Sequence, residues 1–190
     1  MHVYLLRHTR PDVPPDTCYG QSDIEVIERD FQEHLQRLNK LLPIEQIESI
    51  HTSPLKRCDK LARSLQRTST CYIADPRIKE LNFGEWELQH WQNINGADMR
   101  RWKADFLHAK APGGESHMDL YKRAEAFWND LTQSKEQHIL VVSHGGVIKS
   151  LLSRILHMPL EKSYAIKLNY GALIYTHYEQ NTPQQINIIY

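Results

Sequence analysis

Apolar residues fall along this chain in two rhythms: short continuous runs, and longer stretches spaced by three and four. Val3-Tyr4-Leu5-Leu6-Arg7 forms the first short run and predicts a buried strand. Ile27, Phe31, Leu35, Leu38 and Leu42 then keep helical spacing until Pro43 stops them. Residues 47–51 predict a second strand, after which Ser53-Pro54 predicts a helix with proline in its first position. Cys58, Leu61, Ala62 and Leu65 line one face of that helix, and residues 71–74 predict a third strand. Leu120, Ala124, Phe127, Trp128 and Leu131 mark another helix. Ile139-Leu140-Val141-Val142 is a further strand, followed by a helix face of Val147, Ile148, Leu151, Leu152 and Ile155. The tail alternates, with Ala172, Ile174, Ile186 and Ile188 as inward positions on two closing strands, some of the pairing antiparallel. Strands alternating with helices imply an α/β fold with a mostly parallel sheet.

Residues 76–117 break the rhythm, with Gly84, Gly96, Pro112, Gly113 and Gly114 and three of the four tryptophans. They are expected to form loops and short helices over one edge of the sheet, where substrate-specific contacts concentrate. A length of 190 residues fits one domain with a full core. Lys+Arg and Asp+Glu balance at 23 each, which argues against a nucleic-acid or anionic-membrane partner. No run approaches the roughly 20 apolar residues of a membrane span, and the N-terminus has no signal-peptide pattern. Cys18, Cys58 and Cys71 are odd in number and lack CxxC spacing, as reduced thiols do. The expectation is a soluble cytoplasmic protein.

The candidate chemistry lies at strand ends. Leu6-Arg7-His8-Thr9 delivers an arginine and a histidine together, and Ser143-His144-Gly145-Gly146 ends an independent strand with a second histidine. Open α/β sheets bind ligands at that edge. A phosphate monoester needs its charge neutralised, a nucleophile, and an acid for the leaving alkoxide. Arg7 offers a fork of donors matched to phosphate, and Arg57, one helical turn beyond a strand end, offers a second. Neutral His8 is a competent nucleophile toward phosphorus. His144 can donate to a phosphoryl oxygen, and it opens the Gly145-Gly146 turn into a helix whose first amides favour an anion. Glu80, among apolar and aromatic neighbours, is the candidate proton donor.

In order along the chain, Arg7-His8-Thr9, Ser53-Pro54-Leu55-Lys56-Arg57, Glu80-Leu81-Asn82-Phe83-Gly84 and Ser143-His144-Gly145-Gly146 resemble the signatures of the histidine phosphatase, or phosphoglycerate mutase-like, superfamily. That resemblance implies a three-layer α/β/α sandwich whose mostly parallel sheet has at least one antiparallel strand. It implies a single domain over residues 1–190, with 76–117 as a cap-like insertion over the active site. It implies a phosphorylated His8, a phosphate pocket of Arg7, Arg57 and His144, Glu80 as acid–base, and no metal or other cofactor. Within the superfamily, Arg7-His8-Thr9-Arg10-Pro11, Cys18-Tyr19-Gly20-Gln21-Ser22-Asp23, Phe83-Gly84-Glu85-Trp86-Glu87 and Pro112-Gly113-Gly114-Glu115-Ser116 are most similar to alpha-ribazole phosphatases. Substrate contacts are accordingly expected from Arg7, Thr9, Gly20, Gln21, Arg57, His144 and Gly145. Two departures stand out: Thr9 replaces the usual glycine and adds a hydroxyl, and Arg10-Pro11-Asp12 replaces the Thr and Asn that commonly follow. The missing Asn weakens a mutase reading.

Other residues read as structural. His34, His90, His108, His157 and His177 are surface or core histidines, and His51 is structural with an option on the site. Glu87 organises a loop, and Glu85 is the fallback acid. Cys18 is a loop cysteine, Lys56 points to solvent, and Gly113-Gly114 is a mobile turn. Trp86, Trp91 and Trp102 either stack on an aromatic base of the substrate or, the favoured reading, pack the cap. The expected activity is hydrolysis of a small phosphate monoester, alpha-ribazole 5′-phosphate in cobalamin nucleotide-loop assembly. A broad-specificity phosphatase, a mutase and a non-catalytic phosphate-ester binder are the alternatives, and a homodimer is an open expectation.

Overall fold

Strand β1 (His2–Arg7) turns Val3 and Leu5 to one face of a sheet and Tyr4 and Leu6 to the other, and all four are buried. Such two-faced burial requires a layer of helices on each side. The computed structural model, which describes residues 1–179 and 182–189, supplies both layers. The other strands are β2 (Ser49–Thr52), β3 (Cys71–Ala74), β4 (His138–Ser143), β5 (Leu173–Glu179) and β6 (Thr182–Ile188). They form one sheet in the order β3-β2-β4-β1-β5-β6. The first four in that order are mutually parallel, and β5 and β6 are both antiparallel to their neighbours.

Helices α1 (Glu28–Leu41) and α2 (Lys56–Leu65) cover the face of Tyr4, Leu6, Ile50 and Val142 with Phe31, Leu38, Cys58 and Leu61. Between β3 and the next core helix lies α3 (Gly96–Ala104). Helices α4 (His117–Leu131) and α5 (Gly145–Ile155) cover the opposite face, packing Leu120, Phe127, Trp128 and Leu151 on Val3, Leu5, Val141 and Ile174. The short α6 (Leu160–Ser163) precedes β5. The fold is thus a three-layer α/β/α sandwich.

The chain runs from β1 through α1 and α2 to β3 on one side, then returns through α4, β4 and α5 toward β5. Connections therefore leave β1 and β4 in opposite directions, which makes the carboxyl ends of these adjacent strands the switch point where such sheets hold ligands.

Two local expectations need correction. Helix α2 starts at Lys56, not at Pro54, with Leu55 in the extended N-cap position. Its first amide is satisfied from far away, by Asp23 Oδ1 at 2.7 Å from Lys56 N. Ile188 does not point inward but is 55 % exposed, because it sits on the edge strand with a neighbour on one side only, whereas Ile186 packs against the core. Ala172 and Ile174 are fully buried. A smaller apolar cluster of Cys18, Trp86, Ile94 and Ala111 holds together the irregular stretch before α4. Among the described residues no helix is long and apolar enough to cross a membrane.

Leu151 is fully buried on α5 within the main core cluster and away from the strand ends. Leu151→Ala should lower stability by about 2–5 kcal/mol, read as a lower urea midpoint at unchanged slope.

Candidate active site

The β1–β4 ladder pairs Arg7 with Ser143, and His8 N–H then donates to Ser143 O at 3.0 Å, one step past the strands. The residues that follow, His8 and His144, are thereby brought together with ring centroids 5.0 Å apart and planes at 63°. His8 Nδ1 lies 2.7 Å from Thr9 O. A carbonyl only accepts, so Nδ1 carries the proton and Nε2 keeps its lone pair. His144 Nε2 lies 2.7 Å from Ser53 Oγ, which gives the serine at the end of β2 a place in the site that its motif alone did not assign.

Both histidines are held well below the usual imidazole range, first by burial and then by the Arg57 and Arg7 guanidiniums. The Thr9 carbonyl opposes this at His8, and His8 itself adds to it at His144. His8 is therefore neutral at physiological pH, the state that the expected nucleophilic role requires.

Arg7 is anchored by Nη1 to Leu168 O at 2.6 Å and lies over the Tyr170 ring at 4.2 Å. Arg57 is fully buried and donates Nη1 to Ser22 O at 2.8 Å and Nη2 to Gly20 O. Arg7 Nε, Arg57 Nε, Thr9 Oγ1 and Tyr164 Oη are all buried without a hydrogen-bond partner. Orphaned buried donors of this kind are rare and call for a partner of opposite character.

Glu80 reaches the same place from the loop after β3. Its Oε2 accepts from Gly146 N at 3.0 Å and its Oε1 from Leu81 N at 2.9 Å. The first turn of α5 thus offers its amide to the carboxylate of Glu80. A Cβ on Gly146 would lie 2.3 Å from Glu80 Oε1, so only glycine admits this approach. The main chain at Glu80 is fixed by Arg123, whose Nη2 donates to Glu80 O at 2.8 Å while Nη1 binds the Arg77 and Lys79 carbonyls. Arg123 is itself paired with Glu115 at 2.9 Å, both side chains being largely buried.

Arg7, His8, Glu80 and Gly146 line one cleft of about 650 Å³, with Tyr19, Phe83, Trp91, His117 and Tyr164 on its other walls. His144 and Arg57 are fully buried beside His8 and do not line that cleft. Thr9 is buried behind His8. Gly20 and Gln21 turn their amides to Glu87, and Gln21 Nε2 donates to Glu80 O at 3.1 Å. Gly145 backs Arg7, a Cβ there meeting Arg7 Cζ at 3.5 Å.

Glu87 organises these loops. It accepts from the amides of Gly20, Gln21, Ser22 and Phe83 and from the Ser22 hydroxyl. Burial alone would push its carboxyl up, but the Ser22 hydroxyl and the amides outweigh this and hold it below its ordinary value. Glu85 is exposed on the neighbouring turn. Cys18 is fully buried, and burial followed by the Glu87 charge pushes its thiol up to about 12.

Sequence reasoning did not single out His117, Tyr164 or Tyr170. His117 Nδ1 is tied to Phe106 O at 2.8 Å while the ring lines the cleft. Its only sequence signal is a place directly after the Ser116 cap of α4, whose reciprocal bonds to Asp119 fix where the helix starts. Among the described residues no group of three or more His, Cys, Asp or Glu side chains is arranged to hold a metal ion.

The sequence profile of the histidine phosphatase superfamily (branch 1) matches residues 3–188, and the chain belongs to that family. It is a phosphatase, phosphoglycerate mutase-like in fold. Over 90% of its length it is 30% identical to an adenosylcobalamin/alpha-ribazole phosphatase of Escherichia coli (strain K12), of which it covers 87%. It is 26% identical to phosphoserine phosphatase 1 of Hydrogenobacter thermophilus, covering 98% of this chain and 92% of that one. The crystal structure of an alpha-ribazole phosphatase from Shigella flexneri matches with a TM-score of 0.90 at 26% identity, covering 99% of this chain and 95% of that one.

Gly146→Ala should displace the Glu80 carboxylate without unfolding the protein, and so reproduce the defect of Glu80→Gln. With Glu80 as the expected proton donor, whose loss costs about 10²–10⁴-fold, turnover of an alkyl phosphate should fall in that range. p-Nitrophenyl phosphate, whose leaving group needs little protonation, should be slowed far less, with circular dichroism unchanged.

His2, His8, His51, His117 and His144 all have pKa values lowered from 6.5, burial being the largest cause for each. Below pH 6.5 the unfolded chain binds protons that the folded chain refuses. Stability present above that pH is therefore lost as pH falls through the lower, folded values. Urea midpoints should drop between pH 7 and pH 5, whereas turnover should begin to fail only once His8 itself protonates.

Proposed function

We propose that the chain hydrolyses phosphate monoesters through a phosphohistidine at His8, and that alpha-ribazole 5′-phosphate is its substrate. The observation that carries the mechanism is the fixed His8 tautomer: Nδ1 is committed to Thr9 O, and the ring lines the cleft beside Glu80. The unpartnered Nε groups of Arg7 and Arg57 fit an anion placed against that ring.

In the first step His8 Nε2 attacks phosphorus, the P–O bond to the alcohol breaks, and Glu80 gives its proton to the departing oxygen. Both arginines neutralise the phosphoryl oxygens, and His144, held by Ser53, backs the His8 ring from the buried side. In the second step Glu80, now a carboxylate, takes a proton from water as that water attacks phosphorus. The N–P bond breaks and inorganic phosphate leaves. The proton balance closes, because Glu80 ends as it began.

The choice of alcohol rests on likeness. Both the Escherichia coli and the Shigella flexneri relatives bear the alpha-ribazole phosphatase name. The phosphoserine phosphatase relative defines the competing substrate class.

Rapid quench of alpha-ribazole 5′-[³²P]phosphate with the protein, EDTA being present throughout, should trap an acid-labile, base-stable phosphoprotein. His8→Ala should abolish both adduct and turnover. A panel of phosphomonoesters should place alpha-ribazole 5′-phosphate first in kcat/KM. Full activity of His8→Ala, or dependence on one added divalent metal, would sink the mechanism; phosphoserine in first place would sink the substrate assignment.

A further inference from the structure

A second cleft of about 830 Å³ opens beside the first, and the two share Thr17, Tyr19 and Trp91 as a common wall. Aromatic side chains line both clefts: Tyr19 and Trp91 belong to each, and Tyr170 to the outer one. Tyr170 packs against the Arg7 guanidinium and lies 5.7 Å from the His8 ring. Its hydroxyl is 2.6 Å from that of Tyr19, and both rings line the outer cleft.

Trp91 is built into place. Its backbone N–H donates to Asp16 O at 2.9 Å, Cys18 N–H to Gln89 O at 2.8 Å, and Leu88 N–H to Cys18 O at 2.7 Å. These bonds clamp the Pro-rich loop of residues 11–17 to the turn that carries the tryptophan. The clamp holds Asp16 at φ 57° and Leu88 at φ 64°, left-handed conformations uncommon for residues other than glycine. Strain of that kind persists where surrounding structure imposes it and clusters at binding sites. The Phe83 ring braces the indole edge-on at 5.4 Å. The three cap tryptophans therefore differ in role: Trp86 is buried in the small cluster, Trp102 packs between it and Trp91, and Trp91 faces both clefts.

From this we infer that the outer cleft is a leaving-group subsite that selects phosphomonoesters whose alcohol carries a planar heteroaromatic ring, stacked on Trp91 along the Tyr19–Tyr170 wall. The inference rests on phosphate being held at Arg7 and His8. An ester whose leaving oxygen faces Glu80 shares its cleft with Trp91, and a sugar-linked base would pass that side chain to reach the outer cleft. A single planar ring on an aromatic side chain is recognised by area and stacking, with no need for charge. Arg10 also lines the outer cleft, which makes a second anionic group on the substrate the rival chemistry.

The test compares kcat/KM for alpha-ribazole 5′-phosphate and ribose 5-phosphate, which differ by the base alone, in wild type, Trp91→Ala and Trp91→Phe. The wild type should prefer the base-bearing ester by about 10- to 100-fold, the range that stacking of one base supplies. Trp91→Ala should collapse that ratio toward one, and Trp91→Phe should restore most of it. Equal loss on both esters, or no wild-type preference, overturns the subsite while leaving phosphatase chemistry intact. A preference for adenosine 5′-monophosphate over ribose 5-phosphate that Trp91→Ala removes, with alpha-ribazole 5′-phosphate rejected, would support the subsite and refute the alpha-ribazole assignment. If phosphoserine is preferred to both and Arg10→Ala removes that preference, the outer cleft reads an anion and the inference fails.

Discussion

The parallel pairing of β1 with β4 is the constraint on which the rest of this structure depends. Its register, Arg7 opposite Ser143 with His8 N–H bound to Ser143 O, fixes how closely the two buried histidines approach. The same register keeps Val3 and Leu5 on one core face and Tyr4 and Leu6 on the other. A slip by one residue would turn every one of these side chains to the wrong layer. Core packing and the approach of the two histidines are therefore enforced by one set of hydrogen bonds, and neither can drift without the other.

Cationic charge is concentrated against those histidines. Two guanidiniums press on rings already desolvated by burial, and both rings stay neutral. Buried charge without a partner is costly, and the protein offsets it with oriented carbonyls: Leu168 O for Arg7, Gly20 O and Ser22 O for Arg57. These carbonyls take up Nη1 of Arg7 and both Nη groups of Arg57, and leave the Nε of each unpartnered. The arrangement is tolerable without a ligand and improved by an anion.

Carboxylates do the complementary work in the loops. Glu87 gathers the amides of Gly20, Gln21, Ser22 and Phe83, and Glu115 holds Arg123, which in turn gathers the carbonyls around Glu80. Irregular segments have no ladder of their own to satisfy main-chain groups, so a few ionised side chains serve as hubs. Through them the position of Glu80 depends on Arg123 and Glu115, which do not line its cleft. Arg7, His8 and Gly146 are thus held by sheet, helix and hubs, while the outer walls of the cleft are built from loops, where one phosphatase framework can vary.

Much of this was legible in the sequence, because strands and helices announce themselves through short-range periodicity. Apolar runs ending in Arg7-His8 and Ser143-His144 gave both strand ends, and helical spacing gave α1, α4 and α5. Arg7, His8, Arg57 and His144 could be singled out because each sits at or beside the end of such an element, whereas Glu80 lies in a loop. What the sequence left open involves partners distant along the chain. The start of α2 waits on Asp23, and the exposure of Ile188 follows from an edge position. His117 reaches the site from the start of α4 and Tyr164 and Tyr170 from the connection between α6 and β5, and Trp91 parts company with Trp86 and Trp102 only once Asp16 and Cys18 have bound its turn. Periodicity encodes which face of an element is buried, since that depends on neighbours three or four residues away. Which loop side chains share a cleft is decided by long-range closure, for which a chain without repeating pattern carries no local mark.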